Sequence, residues 1–285
     1  MISCGRVRKP IKQGITALID VQLANLQFSV LLMDRGDRHI MRTGSREFAI
    51  VLVHGECTVQ IDELPAWKLG PRSDPFNVPP HAAFITRDQL LLLEAQAPCL
   101  LGIGSAPAAK RISNFHITPE MVGEGERGSG SWTRLVRTVC WSDNTEGNML
   151  LAGETCTPPG NWSTMPPHRH QYDIPGEECP YEEVYFFRFS RPEGFGLMWQ
   201  FDDDCQLDQA YSLRDNDALF MGTGYHPVGA SPASHLYHLS FMAGPRRLSR
   251  ASVHPDYRYM LEASGLQNQY HPAINAERQQ ERLLP

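Results

Sequence analysis

No uninterrupted apolar run here approaches the ~18–20 residues that a membrane-spanning helix needs. The longest candidate, residues 90–103, is broken by Glu94, Gln96 and Pro98. Excess positive charge is also missing. Lys and Arg number 26 against 32 Asp and Glu, a formal net charge of −6, so the general footprint of a nucleic-acid binder is absent. The seven cysteines are odd in number and form no C-x-x-C pair. They are expected to be reduced thiols of a cytoplasmic protein. The first twenty residues carry Arg6, Arg8, Lys9 and Lys12 without a compact apolar core, so no signal peptide is expected. Disorder is excluded too, with 41% apolar and only 20% charged residues in a chain of 285, enough for one large domain or two small ones.

The chain does hold many short extended runs punctuated by 23 glycines and 22 prolines. Residues 26–33, 48–53, 57–62, 90–93 and 100–103 read as strands. In 57–62, Cys57, Val59 and Ile61 alternate with Thr58, Gln60 and Asp62, the period of a half-buried strand. The stretch 106–130 changes character, with Pro107, Pro119 and four glycines from Gly123 to Gly130, and reads as a connection. New strand-like runs follow at 135–141, 149–155, 183–189, 196–201, 218–221 and 236–242. The spacing predicts two all-β halves, sandwich or barrel in type. Residues 1–110 would form the first, 111–130 a linker, 131–258 the second, and 259–285 a tail with short helical turns interrupted at Pro272.

One group of residues carries chemistry. Pro166-Pro167-His168-Arg169-His170 is followed by Glu182-Glu183-Val184-Tyr185-Phe186-Phe187 and then Gly224-Tyr225-His226-Pro227. Residues two apart on a strand share a side, so His168 and His170 would aim both imidazoles inward. A carboxylate from the next strand and His226 would complete a set of three histidines and one carboxylate, with coordination positions left open for catalysis. Parity alone leaves Glu182 and Glu183 both open. Histidines 39, 54, 81 and 116 of the first half form no H-x-H pair, so one metal is expected, in the second half.

These motifs resemble those of the cupin superfamily. Gly160-Asn161-Trp162-Ser163 with Pro166-Pro167-His168-Arg169-His170, Glu182 to Arg188, Gly194-Phe195-Gly196, Gly224 to Val228 and Met242-Ala243-Gly244-Pro245-Arg246 resemble the signature of 5-deoxyglucuronate isomerases, which are similar to 4-deoxy-threo-hexosulose-uronate ketol-isomerases. The resemblance spans residues 26–258. It implies two cupin-type jelly-roll β-barrels (a bicupin), and a single divalent metal ion (Zn, Mn, Fe or Ni) held by His168, His170, Glu183 and His226. Glu183 is chosen over Glu182 on this alignment. The sequence departs from the family pattern at Gln171, where Asp is usual, at Trp199, where Arg is usual, at Gly222, where Pro is usual, and at Leu248-Ser249, where a Trp is usual.

The implied activity is that of an intramolecular oxidoreductase, an aldose–ketose isomerase acting on 5-deoxyglucuronate or a related uronate in inositol catabolism. A cation at this site would grip a carbonyl and its adjacent hydroxyl and stabilise oxyanion charge. Glu183 and Tyr185 are the expected catalytic residues, since Tyr185 shares strand parity with Glu183. Tyr185, Arg246 and Trp199 are the expected substrate contacts. The expected partner is a small acidic sugar, with no nucleic acid and no membrane, and a homo-oligomeric assembly stays open. Two other readings of the same site stay open as well: an Fe(II)-dependent cupin dioxygenase and a non-catalytic sugar-binding cupin.

Overall fold

The computed structural model describes residues 4–204 and 206–264. Among them the chain is all-β, with four sheets and one short helix, Tyr259–Ser264. The rest of the expected tail, residues 265–285, lies outside the described residues. The six described cysteines are unpaired thiols.

Two large sheets dominate, and their strand orders match. The first runs Gly14–Ile19, Gln27–Met33, Leu90–Pro107, Arg46–Ile61, Ala82–Ile85, Phe115–Ile117. The second runs, in the same sense, Arg134–Cys140, Leu150–Thr157, Leu236–Ala243, Glu182–Phe189, Ala218–Met221, Gly5–Val7, with Gly123–Arg127 added outside Arg134–Cys140. The registers match as well: Glu47 opposes Ala106 in one sheet and Glu182 opposes Ala243 in the other. The last strand of each sheet comes from the segment that leads into the other half. Gly5–Val7 pairs with Ala218–Phe220, and Phe115–Ile117 pairs with Ala82–Phe84. The stretch read as a connection therefore contains Phe115–Ile117, joined to the first sheet, and Gly123–Arg127, joined to the second.

The runs read as pairs of strands in the first half are continuous. Residues 48–53 and 57–62 belong to one strand, Arg46–Ile61, and 90–93 and 100–103 to another, Leu90–Pro107. The polar residues that suggest breaks sit at register shifts between Leu52 and Cys57, where bulges bend a strand without ending it. By contrast, the second half carries its outer layer as a separate four-stranded sheet of Trp162–Ser163, Val228–Ala230, Gly196–Phe201 and Asp208–Leu213.

The two large sheets pack against each other through one face of each. Val184 and Phe186 point into this layer with Phe28, Val30, Ala49, Val51, Leu239 and Phe241, all fully buried. Phe28 lies 5.7 Å from Phe186 and 5.4 Å from Phe241 between ring centroids. The sheets approach so closely that a Cβ on Gly104 would stand 2.3 Å from Phe241, which only glycine avoids. Both faces of these strands are buried, so their sequences lack clean alternation.

Buried ionic groups tie the halves reciprocally. Glu47 accepts hydrogen bonds from the backbone N–H groups of Asn148, Met149 and Leu150 at 2.7, 2.7 and 2.8 Å. Glu182, at the matching register position, accepts from Ala24, Asn25 and Leu26, each at 2.8 Å. Arg72 of the first half makes a bidentate pair with Glu154 of the second, both bonds 2.8 Å, with both side chains fully buried. Tyr237 donates its hydroxyl to the same carboxylate at 2.7 Å. Charge is thus retained in this interior only where every oxygen has donors, as the cost of desolvation requires.

Candidate metal centre and its cavity

Four segments deliver the histidines and the carboxylate. His168 lies in the short strand His168–Arg169, which pairs with Ser252–Val253. His170 follows one residue after that strand ends. Glu183 is the second residue of Glu182–Phe189. His226 sits in the turn between Ala218–Met221 and Val228–Ala230. Gly224 makes that turn possible: its φ is +79°, and a Cβ there would stand 2.8 Å from the Phe201 carbonyl oxygen. The turn is pinned on three sides. Tyr225 and Phe201 exchange backbone hydrogen bonds of 3.1 and 2.8 Å. Thr164 donates its hydroxyl to the His226 carbonyl at 2.8 Å. The Gln171 side-chain oxygen accepts from the Thr223 hydroxyl and from the Gly224 N–H. Gln171, one of the departures from the family pattern, thus braces the segment that carries His226.

His170, Glu183 and His226 come together, each offering one ligand atom within 4.8 Å of the others. Glu183 Oε2 lies 2.8 Å from His170 Nε2 and 3.5 Å from His226 Nε2. His168 stands beside them, its ring centroid 5.1 Å from that of His226. The three imidazoles share one arrangement. Nδ1 of His168, His170 and His226 lies 3.0, 3.0 and 3.1 Å from the carbonyl oxygens of Pro166, Tyr181 and Gly224. Each Nδ1 therefore carries a proton and donates, which in His226 leaves Nε2 with its lone pair, the tautomer that a metal ligand needs, whereas His170 also donates from Nε2 to Glu183 and must give up that proton to bind a cation.

The electrostatics suit a cation. Burial raises the pKa of Glu183, but the hydrogen bond to His170 and the nearness of His170 and His226 outweigh that and hold it well below the usual carboxylate range. Burial lowers His170, and the Glu183 carboxylate reverses this and raises it. His168 is pushed down to about 3, by burial first and then by neighbouring His226. Most telling, His226 Nε2 is buried with no hydrogen-bond partner. A buried lone pair without a donor is unfavourable unless something electrophilic occupies the space before it. The donor set of imidazole nitrogens and one carboxylate fits a divalent transition ion.

Glu182 and Glu183 have separate tasks. Glu182 is the loop-holding carboxylate described above, and Glu183, its neighbour of opposite parity, faces the histidines. Beside them opens a cavity of about 240 Å³ whose lining includes His168, Glu183, Tyr185, His238, Arg127 and Arg134. Tyr185 is 3% exposed, and its ring packs 4.4 Å from His238 and 6.0 Å from His226. Trp199 and Arg246 are placed elsewhere and are not among the residues lining this cavity. Trp199 stands on the separate outer sheet, stacked on Phe201 at 3.9 Å and donating to Asp208 at 2.7 Å. Arg246 is half exposed and paired with Asp173. His238 and Arg134 belong to no spacing motif. The only sign of His238 is a lone histidine in an apolar strand, with the parity of Ser240 and Met242. The only sign of Arg134 is an arginine opening a strand.

A β-sandwich protein with a buried imidazole–carboxylate metal centre beside a cavity is the class that fold and site define. Comparison with protein families matches residues 9–260 to the KduI/IolB family, and the chain belongs to that family. It is 30% identical over 238 residues to the 5-deoxy-glucuronate isomerase of Geobacillus kaustophilus, covering 83% of this chain and 86% of that one. It is 29% identical over 266 residues to the 5-deoxy-glucuronate isomerase of Halalkalibacterium halodurans, covering 90% and 98%. Among solved structures, an IolB-like protein from Salmonella typhimurium LT2 is similar with a TM-score of 0.86 at 27% identity, covering 90% of this chain and 98% of that one. An oxalate decarboxylase of Lactobacillus farciminis in complex with formate shares the fold, with a TM-score of 0.63 at 10% identity and 94% of both chains covered.

Proposed function

We propose that this chain is a metal-dependent aldose–ketose isomerase acting on 5-deoxyglucuronate or a closely related uronate. The observation that carries the reading is the trio of His170, Glu183 and His226, with an unpartnered buried Nε2, opening beside a cavity that contains arginine. A divalent ion bound there supplies Lewis-acid stabilisation of the negative charge that develops on the sugar oxygens. His168, His170, Glu183 and His226 are its ligands in this proposal, each imidazole locked by its Nδ1 bond. Glu183 stays ionised and contributes the single anionic donor. Tyr185 lies within reach of the same space and serves as a substrate contact and proton carrier at its hydroxyl. Arg127 and Arg134 give the cavity positive charge, which suits a carboxylate-bearing sugar. In this proposal they, rather than Trp199 and Arg246, meet the sugar acid's carboxylate. An open-chain sugar acid gripped at both ends is held for proton transfer between neighbouring carbons.

The finer architecture is part of the same proposal. The matched strand orders support two jelly-roll barrels of cupin type, with residues 1–110 and 131–258 as the main units. Gly5–Val7 is then an arm of the first unit joined to the sheet of the second, and Phe115–Ile117 joins the connection to the sheet of the first. Six unpaired cysteines support a reducing, cytoplasmic setting, and among the described residues no helix is long and apolar enough to cross a membrane.

The test is to incubate the purified protein with 5-deoxyglucuronate, following the sugar by NMR and dissolved oxygen by electrode. The reading predicts loss of the aldehyde, appearance of the ketose and no oxygen uptake. Oxygen consumption coupled to turnover would place the protein with dioxygenases. Tight binding without turnover would make it a sugar-binding protein.

A further inference from the structure

His238 stands out among the side chains that the metal site does not use. It is 2% exposed, lines the cavity, and has an Nδ1 that is buried without a hydrogen-bond partner. Its strand neighbours leave it unsatisfied. Phe187 and Thr155 oppose it in register, the Tyr185 ring packs on it at 4.4 Å, and the Ser240 hydroxyl is turned away to the Gly153 carbonyl at 3.1 Å. The first half supplies an internal control. Leu52 opposes Leu101 as Phe187 opposes His238, and Leu101 is fully buried in an apolar core. The same backbone position is thus satisfied by leucine where apolar side chains fill the core. An imidazole kept here, at the cost of an unpaired polar atom, needs a partner that arrives with the ligand.

We propose that His238 is a substrate-contacting residue, whose unpaired ring nitrogen takes a hydrogen bond from a hydroxyl of the sugar acid. The inference rests on the isomerase reading above and adds a residue to it. The ring is held neutral, because burial pushes its pKa down to about 3, so it presents a lone pair rather than a charge. Tyr185 fixes its plane by packing, and the cavity arginines leave it to read a hydroxyl rather than the carboxylate. A site that pairs a buried nitrogen with a substrate hydroxyl rejects an analogue lacking that hydroxyl, since the nitrogen is then left unpaired.

The experiment compares His238→Phe, which keeps a ring against Tyr185, with His238→Gln, which restores a polar atom. Kinetics on 5-deoxyglucuronate, bound metal and thermal midpoint are measured for both. The expected result is about a tenfold fall in kcat/KM for His238→Phe, carried mainly by KM, with metal content and midpoint unchanged and partial recovery in His238→Gln. In parallel, the 15N imidazole resonance that His238→Phe deletes should shift when the sugar acid is added to the wild-type protein. Wild-type kinetics in His238→Phe together with an unmoved resonance overturns the assignment. Loss of metal in His238→Phe overturns it too, by making His238 a ligand. A wild-type protein that isomerises no uronate sinks the isomerase reading instead, and the resonance shift then decides His238 as a sugar contact by itself.

Discussion

The first half of the molecule closes its sheet over Ile50, Leu52, Leu101 and Ile103, all buried in one apolar core. At the matching register positions the second half carries Tyr185, Phe187, His238 and Ser240. Phe48 in the first half corresponds to Glu183 in the second. Backbone plan and strand order are shared, so the fold alone does not create the site. What differs is the polarity of one sheet face and the supply of histidines from the segments above it. The first half runs two long bent strands, Arg46–Ile61 and Leu90–Pro107, through both layers. The second has its outer layer as a separate sheet, and the segments that connect this sheet with the large one carry His168, His170 and His226. Two buried ring nitrogens without a hydrogen-bond partner, His226 Nε2 and His238 Nδ1, belong to the second half's site.

The comparison breaks most sharply at the ligands. His170→Ala should lower turnover by more than about 100-fold, at least what loss of a single supporting contact to a metal ligand costs, with the circular dichroism spectrum unchanged. A variant of undiminished activity would remove His170 from the centre.

The next effect concerns the seam between the halves. Glu154→Ala strands the fully buried Arg72 without its carboxylate and should cost about 3–5 kcal/mol in denaturant unfolding. A loss below about 1 kcal/mol would mean that the pair is not buried in solution.

Glu47→Gln and Glu182→Gln test whether the two halves are held alike. Each replaces a charged acceptor of three backbone N–H groups, so each should cost about 1–3 kcal/mol, and the two values should agree closely. Glu182→Gln should also leave bound metal in place, which separates Glu182 from Glu183.

This last pair shows how much the sequence disclosed. Of the residues that the H-x-H spacing and the later Gly-x-His single out, His170 and His226 come together with Glu183, although only His168 lies in the short strand and parity on one strand does not relate the two histidines. Neither parity nor spacing distinguished Glu182 from Glu183, since both faces of that strand are buried and only the partner loop at Ala24 to Leu26 gives Glu182 its task. The strands at 196–201 and 218–221 match the structure at both ends, each being bounded by residues that stop a ladder. The long strands of the first half read as pairs in the sequence because a bulge and a turn look alike without the neighbouring strand. Gly5–Val7 and its pairing to the far sheet have no local signature. Trp199 and Arg246, the expected substrate contacts, are not in the lining of the cavity, which includes Arg127 and Arg134, whose placement depends on three-dimensional register.

The smallest effect is His238→Leu, which makes the second half resemble the first. At neutral pH it should change stability by less than about 1.5 kcal/mol, as for other swaps of similar volume. In acid the difference should grow in its favour. Burial puts the His238 pKa at about 3 in the folded chain against an ordinary 6.5, so the unfolded chain binds the proton first. The stability linked to this group is whole above about pH 6.5 and is lost as pH falls toward 3. The leucine variant should show a shallower acid loss, read by unfolding midpoints between pH 7 and pH 4. Identical profiles would mean that His238 is not held neutral.

The central claim is that the second half alone holds one divalent ion, on histidines and Glu183. Metal content per chain, measured by mass spectrometry of the wild-type protein and of His226→Ala after identical loading and desalting, tests it most directly. One equivalent is expected in the wild type and close to none in the variant, with both chains folded. One equivalent retained by His226→Ala, or two in the wild type, would contradict it.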